Sequence, residues 1–185
     1  MGLFILIKFF NWETILNRSD SIFISIVIPI YNEEESLPHL MEELDEVISG
    51  VSYGIEVILI NDVSTDGSPR LIEEFEKKYY YVKSIYLYKK GGQTGCYQVA
   101  FQQAKGKYII RMDGDLQDDP KDLKHFFRLC LDGQDLIMGL RGLRKHQRLL
   151  RMGSILYDAL IVLIIDSPLH TNTSSFIAFK TEFIK

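Results

Sequence analysis

The stretch MDGDLQDDP, residues 112–120, carries four aspartates and a glutamine directly after KGKYIIR, which reads as a buried strand. Carboxylates this close repel one another and resist ionising together unless a cation lies between them. Asp113 and Asp115 flank Gly114, whose backbone freedom would allow a turn tight enough for both carboxylates and Gln117 to face one point. Hard oxygen donors in a partly open set suit Mg²⁺ or Mn²⁺, ions that share their coordination with a substrate's phosphates. A calcium loop of the EF-hand kind is excluded. With Asp113 at its first position, Asp118 stands where the required glycine belongs and Lys124 where the required glutamate belongs. Asp118 and Asp119 have a plainer reading, as acids favouring the start of the next helix. A strand followed by these acids also suits a phosphotransferase with Asp113 as nucleophile, which a phosphoenzyme trapped on Asp113 would establish.

Three further polar stretches bear on the same chemistry. GGQTG, residues 91–95, is glycine-rich but lacks the lysine and spacing of a P-loop and matches no dinucleotide fingerprint. It reads either as a loop with a helix cap or as a place where backbone at Gly92 and Gln93 approaches a diphosphate near a helix start. NDVSTDGS, residues 61–68, contains the common turn pair Asp66-Gly67, and YNEEES, residues 31–36, is equally polar. Asp62 ends an apolar run, a position from which a carboxylate can accept hydrogen bonds from a base or ribose.

The elements that must position these residues alternate. SIFISIVIPI (21–30) is a β-branched run expected of a strand covered on both faces, and IEVILI (55–60) is a second. Leu37, Leu40, Met41, Leu44, Val47 and Ile48 recur at helical spacing as far as Gly50. SPRLIEEFEKKY gives the next helix, with Ser68 as N-cap and Pro69 in its first turn. VKSIYLY is a strand, 94–105 a helix, KYIIRM a strand, and PKDLKHFFRLCL and DLIMGL continue the pattern. Such alternation predicts a single α/β domain, a mostly parallel sheet flanked by helices. In such sheets ligands bind beyond the carboxyl ends of the strands, where all four polar loops fall.

Composition sets the outer bounds. The chain has 185 residues, enough for one domain that buries roughly 70% of its unfolded surface. A net charge of −4 argues against nucleic acid as a general partner. Cys96 and Cys130 show neither metal spacing nor a disulfide framework, so a reducing compartment is expected, and the four histidines are scattered. No apolar run reaches the ~20 residues that span a bilayer. LFILI (3–7) lacks the features of a signal peptide, and residues 1–20 are expected to form an extension that packs on the surface or touches a membrane.

SIVIPIYNEEESL, EVILINDVSTDGS, GGQTGCYQVAFQQAKGKYIIRMDGDLQDDP and GLRGLRK, in this order, resemble the signatures of family 2 glycosyltransferases with the GT-A (Rossmann-like) fold. The resemblance is strongest to the polyprenyl-phosphate glycosyltransferases, the group that includes dolichyl-phosphate mannose synthase. It implies inverting, metal-dependent transfer of a sugar from a nucleotide-diphosphate sugar to a polyprenyl phosphate. It also implies that Pro29, Tyr31, Asn32 and Glu33 form the first nucleotide-contacting loop, that Asp62 contacts the base, and that Asp113 contacts donor and metal. Asp115 and Gln117 are then metal ligands. The family usually continues into further, often transmembrane, helices, so the expectation is a catalytic domain over 21–185 without them. Three features depart from the pattern: Val63 stands where glycine is usual, Gly95 and Cys96 replace an alanine pair, and Thr171 and Ile177 in TNTSSFIAF replace an aspartate and an arginine.

The acceptor side is read from charge. Arg141, Arg144, Lys145, Arg148 and Arg151 fall in a stretch without acids, directly before an apolar face that ends in ALIVLII (159–165). This is either a solvated basic turn before a core helix or a clamp for an anionic lipid headgroup at a membrane surface, with Arg141 on the reacting phosphate and Ser154 and Ser174 nearby. The expected location is the cytoplasmic face of a membrane, alone, as a homo-oligomer or with a membrane partner subunit. The rivals are a sugar or peptide hydroxyl as acceptor, which would need a positioned base, and a nucleotide-sugar-binding remnant without turnover.

Overall fold

A computed structural model of the protein describes residues 21–117, 119–140 and 173–184. The β-branched run forms β1 (Ile22–Ile30), followed by α1 (Leu37–Ile48), β2 (Gly54–Asn61), α2 (Ser68–Lys78), β3 (Val82–Tyr86) and α3 (Gly92–Gln103). Then come β4 (Tyr108–Arg111), a 3-10 turn at Pro120–Asp122, α4 (Leu123–Leu131), β5 (Leu136–Leu140) and, after the undescribed stretch, β6 (Thr173–Lys180). The six strands make one sheet in the order β3-β2-β1-β4-β6-β5. β1 to β4 are mutually parallel, so their carboxyl ends share one edge.

The sheet separates two apolar layers. On β1, Ile24, Ile26, Ile28 and Ile30 face the layer that holds α1, α2 and α4, while Val27 faces α3. The same alternation runs through β2, with Ile55, Val57 and Leu59 on one side and Ile58 and Ile60 on the other. Both faces are covered, which is why these strands read as unbroken apolar runs. Period-two alternation also fixes register, because a one-residue slip would exchange the faces of every side chain.

The α3 side of the sheet contains a polar knot at its lower edge. Glu56, 1% exposed, faces Ser25 across the β1–β2 register. It accepts the Ser25 hydroxyl (2.6 Å) and the Lys105 amide (2.7 Å), and is paired with the Lys83 ammonium. Burial works against ionisation, yet these donors hold the Glu56 carboxyl below the usual range. Ser25 in turn accepts the Gly106 amide at 2.8 Å, so the knot joins three strands to the end of α3.

Four local expectations change. Ser68 is not the N-cap of α2: Gly67 holds that place, and Ser68 is buried with its hydroxyl accepting the Glu33 amide. α3 starts two residues before the expected 94, because Gly92 adopts φ +62° and turns the chain into the helix. Gly114 has no positive φ; a Cβ there would lie 2.9 Å from Ile30 Cδ1, so a larger residue would have to displace that buried side chain of β1. The left-handed residue of that loop is Leu116 (φ 56°). β6, not foreseen, enters antiparallel between β4 and β5.

Candidate active site

The loops after β1 and β2 are stitched together. Asn32, at φ 55°, receives the Thr65 amide on its side-chain oxygen (2.8 Å) while its own amide donates to the Ser64 hydroxyl (3.1 Å). Glu34 accepts the Gly67 amide (2.8 Å), and its own amide donates to Asp66 (3.1 Å). Asp66 also accepts the Ser68 amide, and despite its cost of burial these donors keep its carboxyl below the usual range. Asn32, expected to contact nucleotide, thus braces the loops. Val63, where the family pattern has glycine, sits at φ 59°. A β-branched residue there is strained, and such strain collects at functional edges.

The loop after β3 is held by Asp62. This side chain is 3% exposed, and its two oxygens accept the amides of Gly91 (2.6 Å) and Gly92 (2.9 Å). A carboxylate thereby caps α3 from a neighbouring strand, where the helix dipole favours negative charge. Of the backbone that the sequence offered to a diphosphate, at Gly92 and Gln93, the Gly92 amide is engaged by Asp62.

Between these loops and the one after β4 lies a cleft of about 320 Å³. It is lined by Pro29, Tyr31 and Glu33 from the first loop, Asp62 from the second, Gly92 and Gln93 from the third, and Asp113 and Asp115 from the fourth. The sequence-derived site residues therefore meet in one place, with two exceptions besides Asn32. Gln117 is exposed and outside the lining; its amide donates to Asp115 Oδ1 (3.0 Å), closing a turn over Leu116. Arg141, Arg144, Lys145, Arg148, Arg151 and Ser154 lie outside the described residues, as do 1–20, Asp118 and the side chain of Ser174.

The cleft is acidic. Against Glu33, Asp62, Asp113 and Asp115, Lys90 is the cation among its described lining residues, and its ammonium lies 3.4 Å from the centre of the Tyr31 ring. Lys90 carries no signal in the sequence, being one lysine beside another in a loop. Cys96 also reaches the lining, and burial together with the Asp62 charge pushes its thiol up to about 11, so it is protonated and unreactive at neutral pH. Gln93 donates to Asp113 Oδ1 (3.2 Å). Tyr97 is buried beside it, with Arg111 over its ring at 5.0 Å; burial and the Asp113 charge push its phenol pKa up.

The donor set fits a divalent cation. Asp113 and Asp115 offer hard oxygens to the same cleft, and among the described residues no group of three acids, histidines or cysteines encloses an ion. Two carboxylates are the partial set that Mg²⁺ or Mn²⁺ completes with phosphates and water.

Comparison with known proteins bears on the whole arrangement. The family model described as glycosyl transferase family 2 matches residues 25–185. An undecaprenyl-phosphate 4-deoxy-4-formamido-L-arabinose transferase of Aeromonas hydrophila is 34% identical over 127 residues, covering 68% of this chain and 39% of the relative. The chain thus spans about two fifths of the length of that curated relative. Among solved structures, glucosyl-3-phosphoglycerate synthase from Mycobacterium tuberculosis, with Mn²⁺, UDP and glucosyl-3-phosphoglycerate, superposes with a TM-score of 0.67 at 15% identity, covering 95% of this chain and 62% of that one. A mannosyltransferase from Pyrobaculum calidifontis, solved with GDP-Man and Mn²⁺, gives 0.60 at 19% identity, over 90% and 47%. At these identities the likeness concerns the fold, which is GT-A.

Proposed function

The chain belongs to glycosyl transferase family 2, and we propose that it transfers a sugar, with inversion, from a nucleoside-diphosphate sugar to a polyprenyl phosphate at the cytoplasmic face of a membrane. The observation that carries this reading is the cleft itself, where the ends of β1, β2 and β4 bring Tyr31, Asp62, Asp113 and Asp115 together. Among the described residues no helix is long and apolar enough to cross a membrane. The acceptor class is supported by the Aeromonas relative, whose name specifies undecaprenyl phosphate.

Each residue then has a task. Tyr31 offers a ring face and Lys90 a positive charge to the nucleotide, and Asp62 fixes the loop that closes that side. Asp113 and Asp115 hold Mg²⁺ or Mn²⁺, which when bound stabilises the negative charge on the departing diphosphate. Gln117, outside the cleft lining, is assigned to the same ion on the family resemblance; its backbone amide donates to Asp115. A phosphate monoester has its second pKa near ~6 and is already largely ionised at neutral pH. It needs orientation more than a base, and the cluster Arg141, Arg144, Lys145, Arg148 and Arg151 supplies charge for that, with the lipid along the apolar stretch that follows. Ser154 and Ser174 are assigned to the same side.

The test is a thermal-shift panel of UDP and GDP sugars with and without Mn²⁺, followed by product analysis with a short polyprenyl phosphate. One donor should stabilise the protein only with the metal, and lipid-linked sugar should form. Metal-independent binding of every donor, or none at all, overturns the reading. Binding without turnover restricts the function to holding the donor.

A further inference from the structure

The Tyr97 hydroxyl makes no hydrogen bond of full geometry, although it lies near enough to Asp113 for that carboxylate to act on it. The residue is 7% exposed, yet its oxygen has no hydrogen-bond partner within normal geometry among the described residues. A buried hydroxyl without a partner is disfavoured, and a phenylalanine would fill the same space without the cost. The ring is firmly placed: it stacks on Phe101 with centroids 5.7 Å apart and carries the Arg111 guanidinium over its face. It stands one helical turn after Gln93 on α3, so the two side chains project from one face of the helix. Gln93 already donates to Asp113, and Asp113 is the carboxylate that acts most strongly on the Tyr97 hydroxyl.

We propose that Tyr97 is a positioning residue for Asp113: its hydroxyl closes on that carboxylate when the donor occupies the cleft, so that Gln93 and Tyr97 together fix the direction in which Asp113 presents its oxygens. Hydrogen bonds in such sites are commonly long before the ligand arrives and tighten in the complex. The unpaired hydroxyl is then the cost of a contact reserved for the loaded state, a place where local stability is given up for a site. The proposal rests on the reading of the cleft as the donor site.

Tyr97→Phe separates this from a packing role because the two readings move different quantities. The ligand-free variant is expected to melt at or above the wild-type temperature, since only an unpaired hydroxyl is lost. Its binding of UDP or GDP in the presence of Mn²⁺, measured by calorimetry, is expected to weaken roughly tenfold or more, the worth of a hydrogen bond to a charged group. Gln93→Ala, at an exposed position, should weaken the same binding, and the double variant should lose less than the sum of the two because both act through Asp113. A Tyr97→Phe protein that binds the nucleotide like wild type overturns the proposal while leaving the donor site in place. A variant that melts well below wild type, with binding reduced only as far as unfolding accounts for, also overturns it. Wild-type protein that binds neither nucleotide with Mn²⁺ removes the proposal and the donor site together.

Discussion

Replacing Asp62 by asparagine tests the architecture of the cleft most directly. The shape of the side chain is kept, but only one oxygen remains for the two amides of Gly91 and Gly92, and the new NH₂ group faces the other N–H. Loss of one charge-assisted bond costs about 1.5–3 kcal/mol. Removing a negative charge from the start of α3 adds about 0.3–1 kcal/mol. Together these give about 2–4 kcal/mol, or roughly 5–15 °C in melting temperature for a domain of this size. Thermal unfolding measures the first quantity, and amide hydrogen exchange at Gly91 and Gly92 locates it, since both amides should lose protection. Donor affinity should fall as well, because Gln93 follows directly on the released loop. A variant that melts within a degree of wild type with unchanged exchange at both glycines would refute the account of Asp62 as the cap of α3.

Val63→Gly should raise stability by up to about 1 kcal/mol, because relief of a left-handed β-branched residue, about 1–2 kcal/mol, exceeds the entropy of glycine, about 0.5–1; a lower melting temperature would contradict the strain. Gly114→Ala should cost about 1–3 kcal/mol through its contact with Ile30, measured by urea unfolding, and should disturb the positions of Asp113 and Asp115. The Glu56 carboxyl titrates below its unfolded value of about 4.3, so the stability it contributes is complete above that pH and is lost as the pH falls through the lower folded value. Glu56→Gln should therefore flatten the acid limb of a stability–pH profile, and an unchanged limb would count against the knot of Ser25, Glu56 and Lys83. Chelation should abolish nucleotide-induced stabilisation, which reaches about 2.7 kcal/mol at a hundredfold excess over Kd.

Much of the architecture was legible because it is repetitive. The runs over 21–30 and 55–60 could only be strands covered on both faces, and α1 spans Leu37–Ile48 as its apolar spacing required. Their order placed four polar loops on one edge, and four of the acids that those loops carry, Glu33, Asp62, Asp113 and Asp115, line the cleft. What escaped depends on partners distant in sequence. Ser68 looks like a cap from its neighbours, but the Glu33 amide claims its hydroxyl. Gly114 looks like a turn glycine, yet β1 runs beneath it. β6 begins with three hydroxyl residues and pairs antiparallel, so neither its composition nor the preceding alternation announced it. Tyr97 and Lys90 could not be singled out, since an aromatic on an apolar helix face and a lysine in a loop are ordinary until their surroundings are known.

The mutual bracing of residues 31–36 and 61–68 has a consequence for protein engineering. Asn32 and Glu34 take amides from the far segment, and Ser64, Asp66 and Ser68 take amides from the near one, so neither segment holds its shape alone. A recombination junction placed between them, within α1 or β2, would mate two halves evolved to different partners. Chimaeras meant to borrow another relative's nucleotide preference should transplant both segments as one cassette.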